Sequence, residues 1–425
     1  MSLLDQHIPH KDHPWAKAFL YLLMLMIGIR ISSYFTLFPD SIALTRVAKI
    51  GLRFLMTGLS IILLMMLSRQ NPRYKVAYSM LLPMGLYLAY LTMGLLSVFW
   101  TNNPAYTVLQ WFMTTETMVF SYVFYRLLCY YDGLYYGGPS FIWITNRSIF
   151  IIMVIFIAGI FIDPDTFFRG THGGEVHRLG GYIINPNELG MLAVIGLTMV
   201  YLELEKKQFY VFNLISLTTV LAALLLSQSR SSLGAYLIVT GIFILRSKQY
   251  WIKAGSVVAG VFAIPVLVQT IILKTGDMDE IMSMTGRLPF WKDLIEIGFP
   301  KSPLYGFGFM NISPNVFSNK FPSIHSYAGA MTHNTFIQVL INLGLIGALI
   351  CLLQMSVTCF AIYRSEDSRL RLLAACMLIP LMINSFTEFG IFGETNYGIL
   401  FYQLLFMFFT LKLVHRPFPN TGLAV

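Results

Sequence analysis

Charge is scarce in this sequence. Asp, Glu, Lys and Arg make up 12% of its 425 residues, whereas a soluble globular chain carries about 25%. A soluble globule of this length is thereby excluded. Cysteine is also rare, and Cys129, Cys351, Cys359 and Cys376 all fall in or beside apolar runs with no metal-like pairing. They read as small hydrophobes rather than as disulfide or metal partners. No cleavable signal is visible, because the start is polar (His7, His10, Lys11, His13) and the first apolar run has no small-residue cleavage site. That run reads as a retained signal anchor. Internal repeats, low-complexity tracts and a nucleotide-binding glycine motif are likewise missing.

What is present is apolar surface. Hydrophobic residues reach 56% and mean hydropathy is +0.67, and the apolar runs repeatedly reach spanning length. In lipid each exposed backbone must satisfy its own hydrogen bonds, which long runs of Leu, Ile, Phe and Met do as helices; barrel strands would be short and alternating. The expected class is an all-α integral membrane protein. Windows fall at Ala16–Phe38, Leu52–Ser68, Val76–Trp100, Tyr106–Cys129, Phe141–Ile162 and Leu189–Leu204. Six more follow at Phe209–Ser227, Leu233–Leu245, Ala254–Leu273, Thr335–Tyr363, Leu370–Phe386 and Gly398–Leu411, which makes about twelve spans.

The net charge of +9 is mostly a topology signal. With the N-terminus cytoplasmic, the inside connections carry Arg69, Arg73 and Lys75, then Lys206 and Lys207, then Arg246, Lys248 and Lys253, then Arg364, Arg369 and Arg371, with Arg416 at the end. This agrees with the excess of Lys and Arg on the cytoplasmic side, and both termini fall there. Arg46, Lys49 and Arg53 run against the pattern and are expected externally, on an interfacial helix facing lipid phosphates. No groove-reading or aromatic context accompanies the basic residues, so nucleic acid is not an expected partner.

Two external segments stand out within this single polytopic domain, residues 164–187 and 275–332. The second is long for a connection inside a compact bundle. It holds an amphipathic stretch, Gly286 to Ile297, with Pro289 placed for a first helical turn and an expected position on the membrane surface. Pro300, Pro303, Pro314 and Pro322, with Gly306 and Gly308, then forbid long regular structure.

Polar residues that fit no topology argument gather on the external side. Arg178 precedes Leu179, Gly180, Gly181 and the turn-rich Asn185-Pro186-Asn187. Read blandly it is a snorkelling arginine; read functionally it is an anion ligand near a helix N-terminus. Asn185 and Asn187 fit as helix caps. Arg230 sits in Ser227-Gln228-Ser229-Arg230-Ser231-Ser232 between two apolar runs, which is either an ordinary tight turn or a receptor for a diphosphate, since a guanidinium fork gives paired donors. Arg287, after Thr285-Gly286, is either a loop charge paired with Asp279, Glu280 or Asp293 or a third ligand of the same anion. His333 opens an apolar run, with Thr332 as its expected N-cap and Asn334 beside it. Alone it reads as a cap or interfacial residue. At the positive end of a helix dipole the neutral imidazole, which can accept a proton, is the favoured form, as a general base requires. His172, His177 and His325 match no metal signature, so no metal site is expected. Glu388 and Glu394 read as solvated loop charge, with a second base or a sugar ligand as the alternative.

These pieces resemble the O-antigen ligase and polymerase superfamily of membrane glycosyltransferases, over about the C-terminal two thirds of the chain. The resemblance rests on Arg178-Leu179-Gly180-Gly181 through Asn187, Ser229-Arg230-Ser231-Ser232-Leu233-Gly234, Thr285-Gly286-Arg287 with Trp291, and Leu304-Tyr305-Gly306-Phe307-Gly308. It rests above all on His333-Asn334, a nine-residue spacer, then Gly344 and Gly347. This last pattern is similar to the histidine motif of the ligases, of which polymerases share looser versions. Ser231-Ser232 departs from the glycine that often follows the family's arginine. The resemblance implies a metal-independent, cofactor-free, inverting transferase of GT-C type architecture with a long periplasmic loop, in the bacterial inner membrane with its active site on the periplasmic face. It implies a donor glycan on undecaprenyl diphosphate, not on a nucleotide, and a sugar hydroxyl of lipid A-core as acceptor. Mapped residue by residue, Arg178, Arg230 and Arg287 would hold the diphosphate and neutralise charge on the leaving group, with Arg230 counted as catalytic. His333 would activate the acceptor hydroxyl, with Asn334 and Asn187 positioning substrate. A repeat-unit polymerase, whose acceptor is a second lipid-linked glycan, is the competing enzyme. A transporter or flippase is the competing class, against which stand the missing repeat and the gathering of polar residues on one face.

Overall fold

A computed structural model describes residues 14–72, 74–136, 140–171, 176–207, 209–267, 287–310, 332–388 and 390–415. Among them twelve helices of 14 residues or more each overlap one of the twelve apolar windows, although Val76–Tyr78 of the third window is strand and not helix. They are α1 (Pro14–Ser32), α2 (Ile42–Gln70), α3 (Leu82–Leu96), α4 (Pro104–Tyr131), α5 (Ser140–Ile162) and, after a single turn α6 (Pro164–Phe167), α7 (Pro186–Glu205) and α8 (Tyr210–Ser227). Then come α9 (Arg230–Arg246), α10 (Tyr250–Leu267), the short α11 (Arg287–Asp293), α12 (Thr335–Arg364), α13 (Ser368–Thr387) and α14 (Tyr397–Thr410). Eight of the described helices, α1, α2, α3, α5, α7, α8, α12 and α13, are long and apolar enough to cross a membrane. The chain is an all-α integral membrane protein.

The core is set by which helices carry no polar face. Every residue of α14 from Tyr397 to Thr410 is buried, as expected of a helix that is apolar all round; it packs against α4, α13 and α3. Helix α7 is the second central element, buried along most of its length. Between apolar helices in lipid, close approach and interhelical hydrogen bonds replace the hydrophobic drive. Gly190 of α7 faces Ser229 and Ser232 so closely that an added Cβ would lie 2.8 Å from Ser232 Oγ, and that hydroxyl donates to Asn187 O at 3.1 Å. The glycine on α7 thus leaves room for Ser229 and Ser232 on the facing helix.

Charge is also buried at depth. Arg30 of α1 donates through both Nη atoms to Glu116 of α4 at 2.8 and 2.7 Å, and Thr57 of α2 donates to the same carboxylate at 2.6 Å. Near the other end Arg147 of α5 pairs with Glu203 of α7, and Asn146 donates to Glu203 and Asn213. Each cation in these pairs has its carboxylate, which is the condition for holding charge in a low-dielectric interior.

Helix α2 departs from expectation. It begins at Ile42, ten residues before the apolar window, so Arg46, Lys49 and Arg53 ride the outer turns of a continuous 29-residue helix and not a separate interfacial one. Ser41 caps it, accepting from Leu44 N at 3.3 Å, and this cap lets the polar turns stay helical.

The starts of α7, α9 and α12 and the ends of α8 and α13 share one end of the bundle, joined there by the α1–α2 connection, where Thr36 N donates to Ile183 O at 2.7 Å. At the opposite end β1 (Tyr74–Tyr78) pairs antiparallel with β4 (Leu411–His415), Tyr74 opposite His415. A second ribbon, β2 (Phe168–Thr171) with β3 (Val176–Leu179), sets Arg169 opposite Arg178.

Candidate active site

The nine-residue spacer between His333-Asn334 and Gly344 is a half-helix. Asn334, not Thr332, is the N-cap of α12, its Oδ1 accepting from Phe336 N at 3.0 Å and Ile337 N at 3.1 Å, and the helix breaks at Gly344, whose φ is 63° and ψ −163°. The break frees backbone groups that an ordinary helix would consume. Phe307 N donates to Ile341 O at 3.0 Å, Gly308 N to Asn342 O at 2.8 Å, and Leu345 N to Pro303 O at 2.8 Å. The Leu304-Tyr305-Gly306-Phe307-Gly308 segment is thus stitched into the gap. A Cβ on Gly344 would strike the Leu304 backbone, so both the positive φ and the close approach require glycine there. Helix α11 turns Phe290 and Trp291 inward, with Leu294 beyond it, against Ile341 and Ile337 of the half-helix. Trp291 Nε1 donates to Thr332 O at 2.6 Å, which fixes the residue before His333.

His333 lies between these restraints with φ 43°, a left-handed conformation that a non-glycine residue holds at a cost of about 1–3 kcal/mol and that gathers at functional positions. Its Nδ1 faces Glu388 Oε2 at 2.5 Å. Glu388 follows the last turn of α13 and is buried, with 1% of its side chain exposed, against 15% for His333 and 14% for Arg287. The expectation of a solvated loop charge is therefore wrong for Glu388. The carboxylate accepts from Asn187 Nδ2 at 2.7 Å, Arg287 Nη2 at 3.1 Å and Asn185 Nδ2 at 3.4 Å. Burial pushes its carboxyl up, and the hydrogen bond and charge of His333, then the charge of Arg287 and the Asn187 bond, outweigh that push and hold it below the ordinary carboxylate value.

Arg287 binds this carboxylate directly, Arg178 reaches it through Asn187, and Arg230 lies within electrostatic reach of Arg178. Arg178 donates from Nε to Ser227 O at 2.9 Å and from Nη2 to Asn187 Oδ1 at 2.6 Å, so Asn187 bridges Arg178 to Glu388. Burial lowers the Arg178 guanidinium to about 10; Glu388 opposes that shift, and Arg230 and Arg287 add to it. The two arginines are thus close enough to repel Arg178. Arg287 also donates to Thr387 O. Arg230 is the first residue of α9, after the N-cap Ser229. Three guanidinium groups and one carboxylate leave two positive charges at the mouth of a half-helix whose N-terminus adds its own positive potential.

Every predicted site residue within the described chain, Arg178, Asn187, Arg230, Arg287, His333 and Asn334, lies at this end of the bundle. Asn185 acts as a cap, accepting from Asn187 N at 2.9 Å, whereas Asn187 spends its amide on Arg178 and Glu388. Asn334 spends its own on the cap and on Phe386 O at 3.3 Å. His172, His325, Thr285, Gly286, Asp279, Glu280, Pro314, Pro322, Arg73 and Arg416 lie outside the described residues. Among the described residues no group of three His, Cys, Asp or Glu side chains could hold a metal ion.

The segment holding most of these pieces has a known likeness. Residues 215–352 match the family model described as O-antigen ligase. This stretch, about a third of the chain, is similar to the O-antigen ligase family. The matched stretch runs from α8 into α12 and contains Arg230, Arg287, His333, Asn334, Gly344 and Gly347, while Arg178, Asn187 and Glu388 join it from outside the match. No curated protein matches the chain.

Proposed function

We propose that the chain is an O-antigen ligase: a metal-independent, GT-C-like transferase that moves a glycan from undecaprenyl diphosphate to a sugar hydroxyl of lipid A-core at the periplasmic face of the inner membrane. The observation that carries this reading is the His333–Glu388 contact at 2.5 Å set among three arginines. With Nδ1 turned to the carboxylate, Nε2 is directed away from it, and a base oriented by a buried carboxylate is the arrangement that lets imidazole take a hydroxyl proton and hold the resulting charge. Glu388 acts as a positioning residue, and Asn334, by capping the half-helix and binding Phe386 O, positions His333 in turn.

Arg178, Arg230 and Arg287 supply the field for the leaving diphosphate. Their two surplus positive charges match the two negative charges of a lipid diphosphate ester, so charge developing on the departing oxygen is neutralised without a divalent cation. Bond making and breaking balance simply: the acceptor oxygen bonds the anomeric carbon from the face opposite the diphosphate, its proton passes to His333, and undecaprenyl diphosphate departs.

A polymerase would run the same chemistry with a lipid-linked glycan as acceptor. The experiment that separates them is reconstitution of the purified chain with a lipid-linked oligosaccharide, offering lipid A-core and a second lipid-linked glycan as rival acceptors. Growth of lipid A-core supports the ligase; growth of the lipid-linked glycan alone replaces it with the polymerase.

A further inference from the structure

The outer turns of α2 carry cations that the donor site does not use. Arg46, Lys49 and Arg53 are spaced i, i+3, i+7 and so share one helix face. The row runs inward: Arg46 is exposed, Lys49 half-buried, and Arg53 only 4% exposed. Arg53 lies over the Tyr34 ring, 4.2 Å from its centroid, and its Nε is buried with no hydrogen-bond partner. The carboxylate at that depth, Glu116, is already taken by Arg30 and Thr57. Among the described residues neither Lys49 nor Arg53 forms an ion pair. A buried guanidinium without a direct ion pair is costly, which points to a ligand that supplies one.

The row lies within electrostatic reach of carboxylates at the active-site end of the bundle. Lys49 is within electrostatic reach of Glu188 and Glu394, and Arg53 within reach of Glu116 and Glu394. Glu394, partly buried after the end of α13 and raised by that burial, is in turn within reach of His333. Elsewhere on the same turns of α2, Val47, Phe54 and Leu55 are exposed at 68%, 40% and 60%, an apolar surface suited to lipid tails. A molecule with its tails along that surface would bring its headgroup over the cations.

We propose that the Arg46–Lys49–Arg53 row binds a phosphate group on the headgroup of the acceptor lipid. This rests on the transferase reading. In-line displacement requires the attacking hydroxyl on the side of the anomeric carbon opposite the leaving diphosphate, so acceptor and donor need separate anion sites. Arg178, Arg230 and Arg287 serve the donor; the α2 row, which none of the donor-site hydrogen bonds among the described residues involves, serves the acceptor.

The test is direct binding of lipid A-core to the purified full chain in detergent with no donor present, using the phosphorylated lipid and the same lipid stripped of its phosphates. Arg53→Gln and Lys49→Gln each weaken binding of the phosphorylated lipid by about tenfold or more, the loss expected for one charge-assisted contact, and leave the stripped lipid unaffected. Lys49 is half-exposed, so its variant remains informative if Arg53→Gln fails to fold. Equal weakening for both lipids, or none, overturns the proposal. Full competition by phosphatidylglycerol at equal concentration also overturns it, since the row would then be a general phospholipid site. Because no transfer is measured, loss of the transferase reading would leave a positive binding result standing, and a negative result would leave transfer intact.

Discussion

Replacing Glu388 with glutamine is the most informative single change. The side chain keeps its volume but loses its charge and one acceptor oxygen, where it now meets His333 at 2.5 Å, Asn187 at 2.7 Å and Arg287 at 3.1 Å. Breaking a fully buried pair costs about 3–5 kcal/mol. Arg287 keeps its bond to Thr387 O and is 14% exposed, so a smaller figure of about 2–3 kcal/mol applies here. If that loss falls on the orientation of the imidazole in the transition state, kcat drops about 30- to 150-fold. Donor affinity moves the other way, because three surplus positive charges now face the diphosphate in place of two. The assay is transfer in proteoliposomes with kcat and donor KM resolved, alongside thermal unfolding of the purified protein. A kcat within about threefold of the parent refutes the dyad. A fall in donor affinity that tracks lost folded protein shows Glu388 to be structural only.

Arg230→Ala should abolish measurable transfer while leaving membrane insertion intact, and Arg178→Ala should raise donor KM by about 10- to 100-fold, the worth of one charge-assisted phosphate contact; initial rates against donor concentration check both. Gly344→Ala should destabilise the protein by about 2 kcal/mol or more and cost activity as well, because a Cβ strikes the Leu304 backbone at φ 63°; the readout is thermal unfolding in detergent. Asn334→Ala, which removes the cap of the half-helix, should cost about 1 kcal/mol by the same measurement. Glu388 is depressed from an ordinary value of 4.5, so its contribution to stability is fully present above 4.5 and is lost as pH falls through the lower folded value. Unfolding midpoints of the parent should therefore drop more steeply below pH 4.5 than those of Glu388→Gln.

Helix positions were legible because apolar run length is itself the physical requirement for crossing lipid. The arginines and His333 were legible because each is a polar residue at the edge of such a run, where burial needs a reason. Glu388 was not, since one acidic residue after a helix looks like solvated charge; the signal available was the polar ending of α13, with Asn384, Ser385 and Thr387 leading into it. Arg46 and Lys49 were left outside α2 because hydropathy alone started that helix at Leu52, although the spacing of Arg46, Lys49 and Arg53 already marked a single helical face. The Arg30–Glu116 pair joins residues 86 positions apart, and no local pattern encodes that contact. The spacing from His333 to Gly344 was recognised as a motif, but its cause, a capped half-helix sealed by the Leu304–Gly308 segment, needed the tertiary structure.

The most direct measurement is single-turnover transfer from a labelled undecaprenyl-diphosphate glycan to lipid A-core by the purified chain and by His333→Ala, with donor binding measured on the same samples. The parent should convert donor to labelled lipid A-core and free undecaprenyl diphosphate without added metal, and His333→Ala should bind donor normally yet transfer nothing. Transfer at the parent rate by His333→Ala would contradict the assignment of His333 as the base.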